Sequence, residues 1–152
     1  MAGKSYPKND SIKNGPIARL YLYCLRRKWR IASRILGLSL ACEIRCDVPE
    51  RLFIPHPNGI VTGGRVQLEN DVVLLQQVTL GCRSAYTGTS ENDGDPTLKE
   101  GVYVGPGAKI LGRITVGEWS IVGANAVLTE DVPAYSIVVG HNKLLRTSSR
   151  EL

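Results

Sequence analysis

The sequence contains few histidines, few aromatic residues and no long apolar run. His56 and His141 are its two histidines, too few for a zinc centre of three distinct histidine positions. It has six tyrosines, two tryptophans and one phenylalanine, and only the segment YLYCLRRKWR mixes aromatic with basic residues as a nucleic-acid surface would. The longest uncharged stretch near the N terminus, 35–42, is far shorter than the roughly 20 residues that span a bilayer. These shortages disfavour a metal enzyme, a nucleic-acid-binding protein and a membrane-spanning protein.

The four cysteines do not form a recognisable framework. Cys24, Cys42, Cys46 and Cys82 match neither a CxxC zinc pair nor the dense spacing of a disulfide scaffold. The apolar segment IARLYLYCL is followed by RRKWR rather than by a small-residue cleavage site, so it is a poor signal peptide. We therefore expect a soluble cytoplasmic protein with reduced thiols.

What the sequence does contain points to strands and to anionic partners. Sixteen glycines accompany many valine, isoleucine and leucine residues, a composition typical of an all-β body with frequent turns. The net charge of +5 and the pI near 9.2 favour a partner such as nucleic acid, an anionic membrane or a phosphorylated ligand.

Apolar and polar residues divide the chain into four regions. Residues 1–15 are polar and are predicted to form a flexible tail. Residues 16–41 carry apolar side chains at helical spacing and predict one or two amphipathic helices. Residues 42–140 form the glycine-rich body, and residues 141–152 form a basic C-terminal tail. The apolar positions of the helical region are Ile17, Leu20, Cys24, Leu25, Ile31, Ile35 and Leu38.

The glycine-rich body repeats every six residues. From Val104 an aliphatic residue recurs at each sixth position for five steps, and a second series of smaller residues runs two positions earlier. The first series is Val104, Ile110, Val116, Val122 and Leu128, and the second is Val102, Ala108, Ile114, Ser120, Ala126 and Val132. The same phase returns upstream in Thr62, Leu68, Leu74 and Leu80 and in Ile60, Val66, Val72 and Val78.

A period of six fits a parallel β-helix, in which each unit supplies one short strand and one turn. Glycines follow the aliphatic positions at Gly105, Gly117 and Gly123, and we expect them to supply turn conformations that other residues reach only with strain. The segment 82–97 interrupts the repeat without changing its phase. It is predicted to be a loop that protrudes from a solenoid of four to five coils.

These motifs resemble the hexapeptide-repeat acyltransferases, in the serine acetyltransferase-like branch that includes polysaccharide O-acetyltransferases. The resemblance covers about residues 17–146 and is most specific in PHPNGIV, ENDVVLLQQVTLG and the stretch from GVYVGPGAKILG to AYSIVVG. It implies an all-β fold, a left-handed parallel β-helix with an N-terminal α-helical segment, assembled as a homotrimer. It also implies acetyl transfer from acetyl-CoA to a hydroxyl group, with no metal. The γ-class carbonic anhydrases share this fold but need three zinc-binding histidines.

The resemblance implies that His56 is the general base. A hydroxyl group is a weak nucleophile, and a neutral imidazole near pH 7 can remove its proton during attack on the thioester. Such a base needs a group that orients it. Pro55 stands where serine acetyltransferases have an aspartate, so Glu43, near the start of the first coil, is the predicted orienting carboxylate and Asp47 is the second candidate.

The departures from the family bear on the acceptor. Serine acetyltransferases carry a second histidine, preceded by arginine, where this chain has Gly94 and Asp95. The resemblance also matches only the last helices of the long N-terminal helical domain of those enzymes. We therefore expect a sugar hydroxyl of surface polysaccharide biosynthesis as the acceptor. The alternatives are a serine O-acetyltransferase of cysteine biosynthesis and a non-catalytic β-helix scaffold, and Cys82 with the loop 82–97 is a candidate lining of the acceptor site.

Two further surfaces have predicted roles. The resemblance assigns coenzyme A contacts to Pro106, Gly107, Ala124, Thr129, Lys143 and Arg146. Small side chains would admit the pantetheine arm, and the two basic side chains would bind phosphate groups. The basic helix from Tyr21 to Arg34 either packs against the β-helix and neighbouring subunits or makes shallow, peripheral contact with the inner face of an anionic membrane.

Overall fold

Three parallel sheets wind around one aliphatic core in the computed structural model, which describes residues 12–83 and 94–147. In these two stretches the chain forms two helices, α1 (Pro16–Arg26) and α2 (Arg30–Ser39), followed by strands β1 to β14. The strands are β1 (Glu43–Ile44), β2 (Leu52–Phe53), β3 (Val61–Thr62), β4 (Gln67–Leu68), β5 (Val72–Leu74), β6 (Thr79–Gly81), β7 (Thr97–Leu98), β8 (Tyr103–Val104), β9 (Lys109–Leu111), β10 (Thr115–Val116), β11 (Ile121–Val122), β12 (Val127–Leu128), β13 (Ser136–Val139) and β14 (Lys143–Thr147).

The three middle coils, β3 to β5, β6 to β8 and β9 to β11, each contribute one strand to each sheet. The sheets have the orders β1-β3-β6-β9-β12, β4-β7-β10 and β2-β5-β8-β11-β13-β14, and every pair except β13 with β14 is parallel. Partners in successive coils, such as Val61 with Thr79 and Lys109 with Val127, stand eighteen positions apart. Three six-residue units therefore make one coil, which confirms the predicted parallel β-helix.

Both six-residue series point into the core. Their members are buried, with the exception of Leu68, which is half-buried. The one polar member of the C-terminal run, Ser120, is satisfied inside the core. Its Oγ donates to the carbonyl oxygen of Pro133 at 2.8 Å and accepts from the backbone N–H of Ser136 at 3.1 Å. A buried hydroxyl with both partners avoids the cost of an unmade hydrogen bond.

Glycine is required at these positions of the repeat for a reason other than the predicted one. Gly105 and Gly117 have ordinary φ values, so the prediction of a special conformation was wrong. A Cβ at Gly117 would lie 2.3 Å from the backbone nitrogen of Ala134, and one at Gly105 would lie 2.7 Å from that of Ala124. Glycine is needed there because two coils approach too closely for any side chain. The left-handed φ values fall instead at corners, and several belong to other residues, including Gln77 and Asn125.

The segment 82–97 interrupts the six-residue repeat without changing its phase, as predicted. Leu80 pairs with Ile110, thirty positions later, which is five six-residue units. Gly81 pairs with Leu111 on one side of the loop, and Thr97 pairs with Gln67 on the other. Residues 84–93 of the predicted loop lie outside the described residues.

The two helices pack on the first coil through only part of their apolar surface. Pro16 occupies the first turn of α1, where its missing N–H costs nothing, and Tyr21 is buried, with its hydroxyl 3.4 Å from the carbonyl oxygen of Cys42. The predicted positions Ile17, Leu20, Ile31, Ile35 and Leu38 are exposed in the single chain. Among the described residues, no helix combines the length and apolar character that crossing a membrane requires.

The chain ends described here are both attached to the solenoid. Asn14, in the region expected to be a tail, bonds to the strand β2 segment, and β14 lies antiparallel to β13 within the region expected to be a basic tail. Residues 1–11 and 148–152 of those two regions lie outside the described residues.

Candidate active site

His56 lies at a corner of the β-helix between β2 and β3. Ile54 before it and Ile60 after it are both fully buried core residues. The chain must reverse from one sheet to the next between these two anchors. Pro55 and Pro57 restrict the backbone on each side of the histidine, and the backbone N–H of Asn58 donates to the carbonyl oxygen of His56 at 2.8 Å, closing the turn.

Neighbouring segments hold this corner from several directions. The side chain of Asn14 brackets the entry strand, because its Nδ2 donates to the carbonyl oxygen of Leu52 at 2.8 Å and its Oδ1 accepts from the N–H of Ile54 at 2.7 Å. On the exit side, the N–H of Gly59 donates to the carbonyl oxygen of Leu40 at 3.2 Å. The backbone that carries the imidazole is therefore fixed by residues distant in sequence.

The imidazole of His56 is exposed. Within residues 12–83 and 94–147 no side-chain hydrogen bond or ion pair engages it. An exposed imidazole on a fixed backbone can approach an incoming hydroxyl, which is the first geometric requirement for a general base.

The two candidate carboxylates do not contact His56 in the single chain. Glu43 lies in β1, which pairs with the strand that follows the His56 corner, and its N–H donates to the carbonyl oxygen of Ile60 at 2.8 Å. Its carboxylate pairs with the guanidinium of Arg45, whose Nε is 2.8 Å away. Asp47 is exposed. The orienting role of Glu43, or of Asp47, stays a prediction.

The His56 corner heads a column of corners that includes several predicted coenzyme A contacts. The N–H of Gln77 donates to the carbonyl oxygen of Asn58 at 2.8 Å, and the N–H of Gly107 donates to the carbonyl oxygen of Gln76 at 2.9 Å. Below these, the N–H of Asn125 donates to the carbonyl oxygen of Pro106 at 2.8 Å. The corners 55–59, 76–77, 106–107 and 124–125 therefore stack on one edge of the solenoid.

The remaining predicted contacts lie near the far end of that edge. The N–H of Thr129 donates to Oδ1 of Asn142 at 2.8 Å, and Nδ2 of Asn142 donates back to the Thr129 hydroxyl at 2.8 Å. Lys143, the next residue, is exposed at the start of β14. Arg146 belongs to the same strand, where its backbone pairs with Ile137.

Gln76 belongs to this column but is not among the site residues predicted from the sequence. Its Oε1 is buried without a hydrogen-bond donor from the described part of the chain. A buried acceptor without a partner is costly. The only signal in the sequence is a polar Gln-Gln pair between aliphatic positions, and that pattern also fits an ordinary solvated turn.

Gly94 and Asp95 stand where the resemblance places an arginine and a second histidine, and both contact other parts of the β-helix. Oδ2 of Asp95 accepts from the N–H of Arg65 at 2.9 Å, and its carboxylate occupies the space beside Gly63 where a Cβ would otherwise lie. Gly94 packs directly against the side chain of Arg113. Neither position offers an imidazole or a guanidinium to an acceptor.

The cysteines near the first coil are buried, whereas Cys82 is partly exposed. Burial raises the pKa of the Cys42 thiol and that of the Cys46 thiol, so both hold less thiolate at any given pH. Cys24 is also buried, whereas Cys82 is half-buried.

We expect iodoacetamide to alkylate Cys82 of the native protein well before Cys42 or Cys46, because the reagent needs an accessible thiolate. Peptide mass spectrometry after short exposures measures the order. In denaturant all four thiols should react at comparable rates, which provides the control. Equal labelling of Cys42 and Cys82 in the native protein would contradict the burial of the first coil.

A large open cleft lies apart from the His56 column. It has a volume of about 1190 Å³ and lies between the helices and the first coil. Glu43 and Asp47 line it, together with Arg30 and Arg34, but His56 and the predicted coenzyme A contacts do not. The site around His56 is an exposed edge rather than a cavity of the single chain.

Comparison with known proteins supplies the family context. The family described as "Bacterial transferase hexapeptide (six repeats)" matches residues 95–130. Serine acetyltransferase of Bacillus subtilis is 39% identical over 113 residues, which is 73% of this chain and 50% of that protein. The chain spans about half the length of this relative, and about a third of the Haemophilus influenzae enzyme, which is 45% identical over 89 residues, or 59% of this chain.

Solved structures are similar over a larger share of the chain. Serine acetyltransferase of Neisseria gonorrhoeae superposes with a TM-score of 0.69 at 29% identity, covering 87% of this chain and 51% of that one. Serine acetyltransferase of Brucella abortus, in complex with coenzyme A, superposes with a TM-score of 0.64 at 29% identity, covering 86% of this chain and 54% of that one. These likenesses, together with the parallel sheets, confirm the expected left-handed β-helix.

Proposed function

The chain belongs to the hexapeptide-repeat transferases, in their serine acetyltransferase-like branch, and we propose that it transfers acetyl from acetyl-CoA to a hydroxyl group. The observation that carries the proposal is the column of stacked corners, which aligns His56 with Pro106, Gly107 and Ala124 along one edge. A general base at one end of a row of small residues matches an extended thioester whose reactive end must meet the base.

The proposed reaction needs no covalent intermediate with the protein. His56 removes the proton of the acceptor hydroxyl while its oxygen attacks the thioester carbonyl carbon of acetyl-CoA. The tetrahedral intermediate collapses, the carbon–sulfur bond breaks, and the proton held by the imidazole neutralises the departing thiolate. The products are an acetyl ester and coenzyme A.

Two acceptors remain for this reaction. The compared relatives are serine acetyltransferases, and this supports L-serine better than a sugar. A sugar hydroxyl is the second candidate, favoured by one observation: Gly94 and Asp95 stand where those enzymes carry their second histidine and arginine, and Asp95 is engaged with Arg65.

A thiol-release assay with acetyl-CoA tests the proposal and separates the acceptors. Free coenzyme A is measured with a thiol reagent in the presence of L-serine, simple sugars or nucleotide sugars, with acceptor-free and enzyme-free controls. Release that depends on L-serine supports the first acceptor, and release that depends on a sugar supports the second. Mass spectrometry of the acceptor must show the added acetyl group. No acceptor-dependent release with any of them would favour the scaffold alternative.

The coenzyme A phosphates are proposed to bind at the basic strand β14. Changing Lys143 and Arg146 together to alanine should raise the KM for acetyl-CoA by about tenfold or more, because two charge-assisted contacts are removed. The saturated rate should change much less. The difference from the native protein should shrink at high salt, where the native charges are screened. An unchanged KM at low salt would show that Lys143 and Arg146 do not bind the phosphate groups of acetyl-CoA.

Gln76 is proposed to turn its buried Oε1 outward and to accept a hydrogen bond from bound acetyl-CoA, whose pantetheine arm contains amide N–H groups. Gln76→Leu should leave the thermal stability of the ligand-free protein unchanged or slightly raised, because an unsatisfied buried acceptor disappears. The same change should weaken acetyl-CoA binding, as measured by calorimetry. A variant that loses stability and keeps its affinity would contradict this role.

The assembly and location are proposed from the same family membership. A homotrimer would bring the exposed edge of one solenoid against its neighbour and enclose His56 in a groove between them. Light scattering that reports a monomer at working concentration would contradict this arrangement. We propose a cytoplasmic location, where acetyl-CoA is available, with peripheral contact of the helical segment at the membrane.

A further inference from the structure

Helix α2 leaves an apolar stripe without a partner. Ile31, Ile35 and Leu38 recur at a spacing of four and three residues, so they share one face of the helix. Their exposed fractions are 79, 62 and 83%. The helix packs through another side, where a Cβ on Gly37 would lie 2.7 Å from the carbonyl oxygen of Cys42. Ile31 and Ile35 therefore face away from the rest of the chain, and Leu38 lies at the rim of the cleft beside the first coil.

An aromatic pair lies at the start of this stripe. The rings of Tyr23 and Trp29 meet edge to face with centroids 5.6 Å apart, and the Arg27 guanidinium lies 5.6 Å from the Tyr23 ring centroid. Both rings are substantially exposed. Tryptophan and tyrosine are the side chains that favour the boundary between a bilayer and water, because they combine an apolar body with a polar edge.

The helical segment that carries the stripe has charge of one sign, and the carboxylates that line the cleft beside it, Glu43 and Asp47, belong to the first coil. Residues 12–42 contain seven basic residues and no acidic one, whereas residues 43–152 contain ten basic and thirteen acidic residues. The seven are Lys13, Arg19, Arg26, Arg27, Lys28, Arg30 and Arg34. Across the two described stretches, the side chains of Lys28, Arg30 and Arg34 have no ion-pair partner. The positive charge of the protein is therefore concentrated beside its most exposed apolar surface.

We propose that α2 and the preceding turn 27–29 dock on an anionic lipid bilayer. The helix lies parallel to the surface, with Ile31, Ile35 and Leu38 among the upper acyl chains and with Arg30 and Arg34 at the phosphate groups. Trp29 lies at the boundary between these layers. The surface lies outside the His56 column, so this docking goes beyond acetyl transfer and specifies the membrane contact.

Charge complementarity favours a bilayer over a second copy of the chain. A two-fold contact through this face would place Arg30 and Arg34 of both copies close together. Of the two carboxylates that share their cleft, Glu43 is already paired with Arg45, which leaves Asp47 against two arginines. An anionic bilayer supplies both the apolar layer and the opposite charge. With only a short helix inserted, binding should be reversible and should weaken as salt is added.

Vesicle flotation with the full chain tests the proposal. Vesicles of phosphatidylcholine alone are compared with vesicles in which one third of the lipid is phosphatidylglycerol. We expect binding only to the second kind. Arg30→Gln with Arg34→Gln should weaken that binding by about 30-fold, the effect of two basic side chains near an anionic surface. Replacing Ile31, Ile35 and Leu38 with serine should weaken it by at least about tenfold.

Matched controls use exposed residues of the β-helix. Ile121→Ser removes an exposed isoleucine elsewhere, and Arg65→Gln with Arg83→Gln removes two exposed positive charges; both should bind vesicles like the unmodified protein. Equal binding of the α2 variants and these controls would overturn the proposal. So would a smaller particle in light scattering for the serine variant, because the stripe would then be a contact between copies. Acetyl transfer to a soluble acceptor reports folding independently of vesicle binding.

Discussion

Replacing His56 with alanine should lower the rate of acetyl transfer by at least about a hundredfold, the lower end of what a positioned general base contributes. The protein should stay folded, because the imidazole is exposed and makes no side-chain bond to the described residues. Affinity for acetyl-CoA should change little, since the proposed phosphate contacts lie at the other end of the column. The measurement is kcat with the acceptor identified by thiol release, next to calorimetric binding of acetyl-CoA.

His141 provides a matched control for this experiment. It is the other histidine and is also exposed, but it lies on the last described corner, bridged to Val127. His141→Ala should retain most of the turnover. If the His56→Ala protein had the kcat of the unmodified one, His56 would not be the general base. If both variants lost kcat equally, the loss could not be attributed to a missing general base.

Gly117→Ala should cause a large loss of stability for a substitution that adds only one methyl group. The new Cβ would lie 2.3 Å from the backbone nitrogen of Ala134 and 2.7 Å from its Cα, and neither atom belongs to a flexible side chain. Accommodation requires two coils to separate. Overpacking of this kind costs about 3 kcal/mol, which corresponds to roughly 6–12 °C in Tm for a chain of this size.

Gly64→Ala is the control for that prediction. Nothing lies within 4 Å of a Cβ at Gly64, and its φ is not in the left-handed region. Thermal unfolding followed by circular dichroism should place this variant within about 2 °C of the unmodified protein. If both variants melted at the same temperature, close approach between coils would not be the reason for the glycine at position 117.

The β-helix was predictable because its signal is local. An inward residue every six positions is visible in Val104, Ile110 and Val116 without any knowledge of their partners, and each stacks on an equivalent one coil away. Burial then enforces the phase, since a shift of one residue would turn an aliphatic side chain to solvent. Handedness came only from the family resemblance.

The contacts that the sequence did not predict join distant residues. Asn14 reaches Ile54 across forty positions, and no pattern near either residue indicates the contact. The repeat glycines were found, but their cause was misassigned, because close approach of Gly117 to Ala134 depends on the spacing of coils. On α2 the periodicity located a helix at Ile31 and Ile35 but could not say which face would be exposed.

The same limit applies to the site. The motif around His56 predicts a general base, whereas the unsatisfied Oε1 of Gln76 becomes apparent only when neighbouring corners stack. The partner of His56 stays a prediction because Glu43 is paired with Arg45 in the single chain. If this edge lies between subunits, as the proposed trimer requires, its side chains depend on groups that a single sequence does not place.

The way the interruption at 82–97 is attached has a consequence for how this protein can diversify. Its two ends are secured on different sheets: Gly81 pairs with Leu111, and Thr97 pairs with Gln67 while Asp95 holds Arg65. Because the entropy of closing a loop grows only with the logarithm of its length, doubling such a segment costs about 0.6 kcal/mol. Insertions and deletions there would leave the coils in register, so the length of this segment can change while the edge that carries His56 is inherited unchanged.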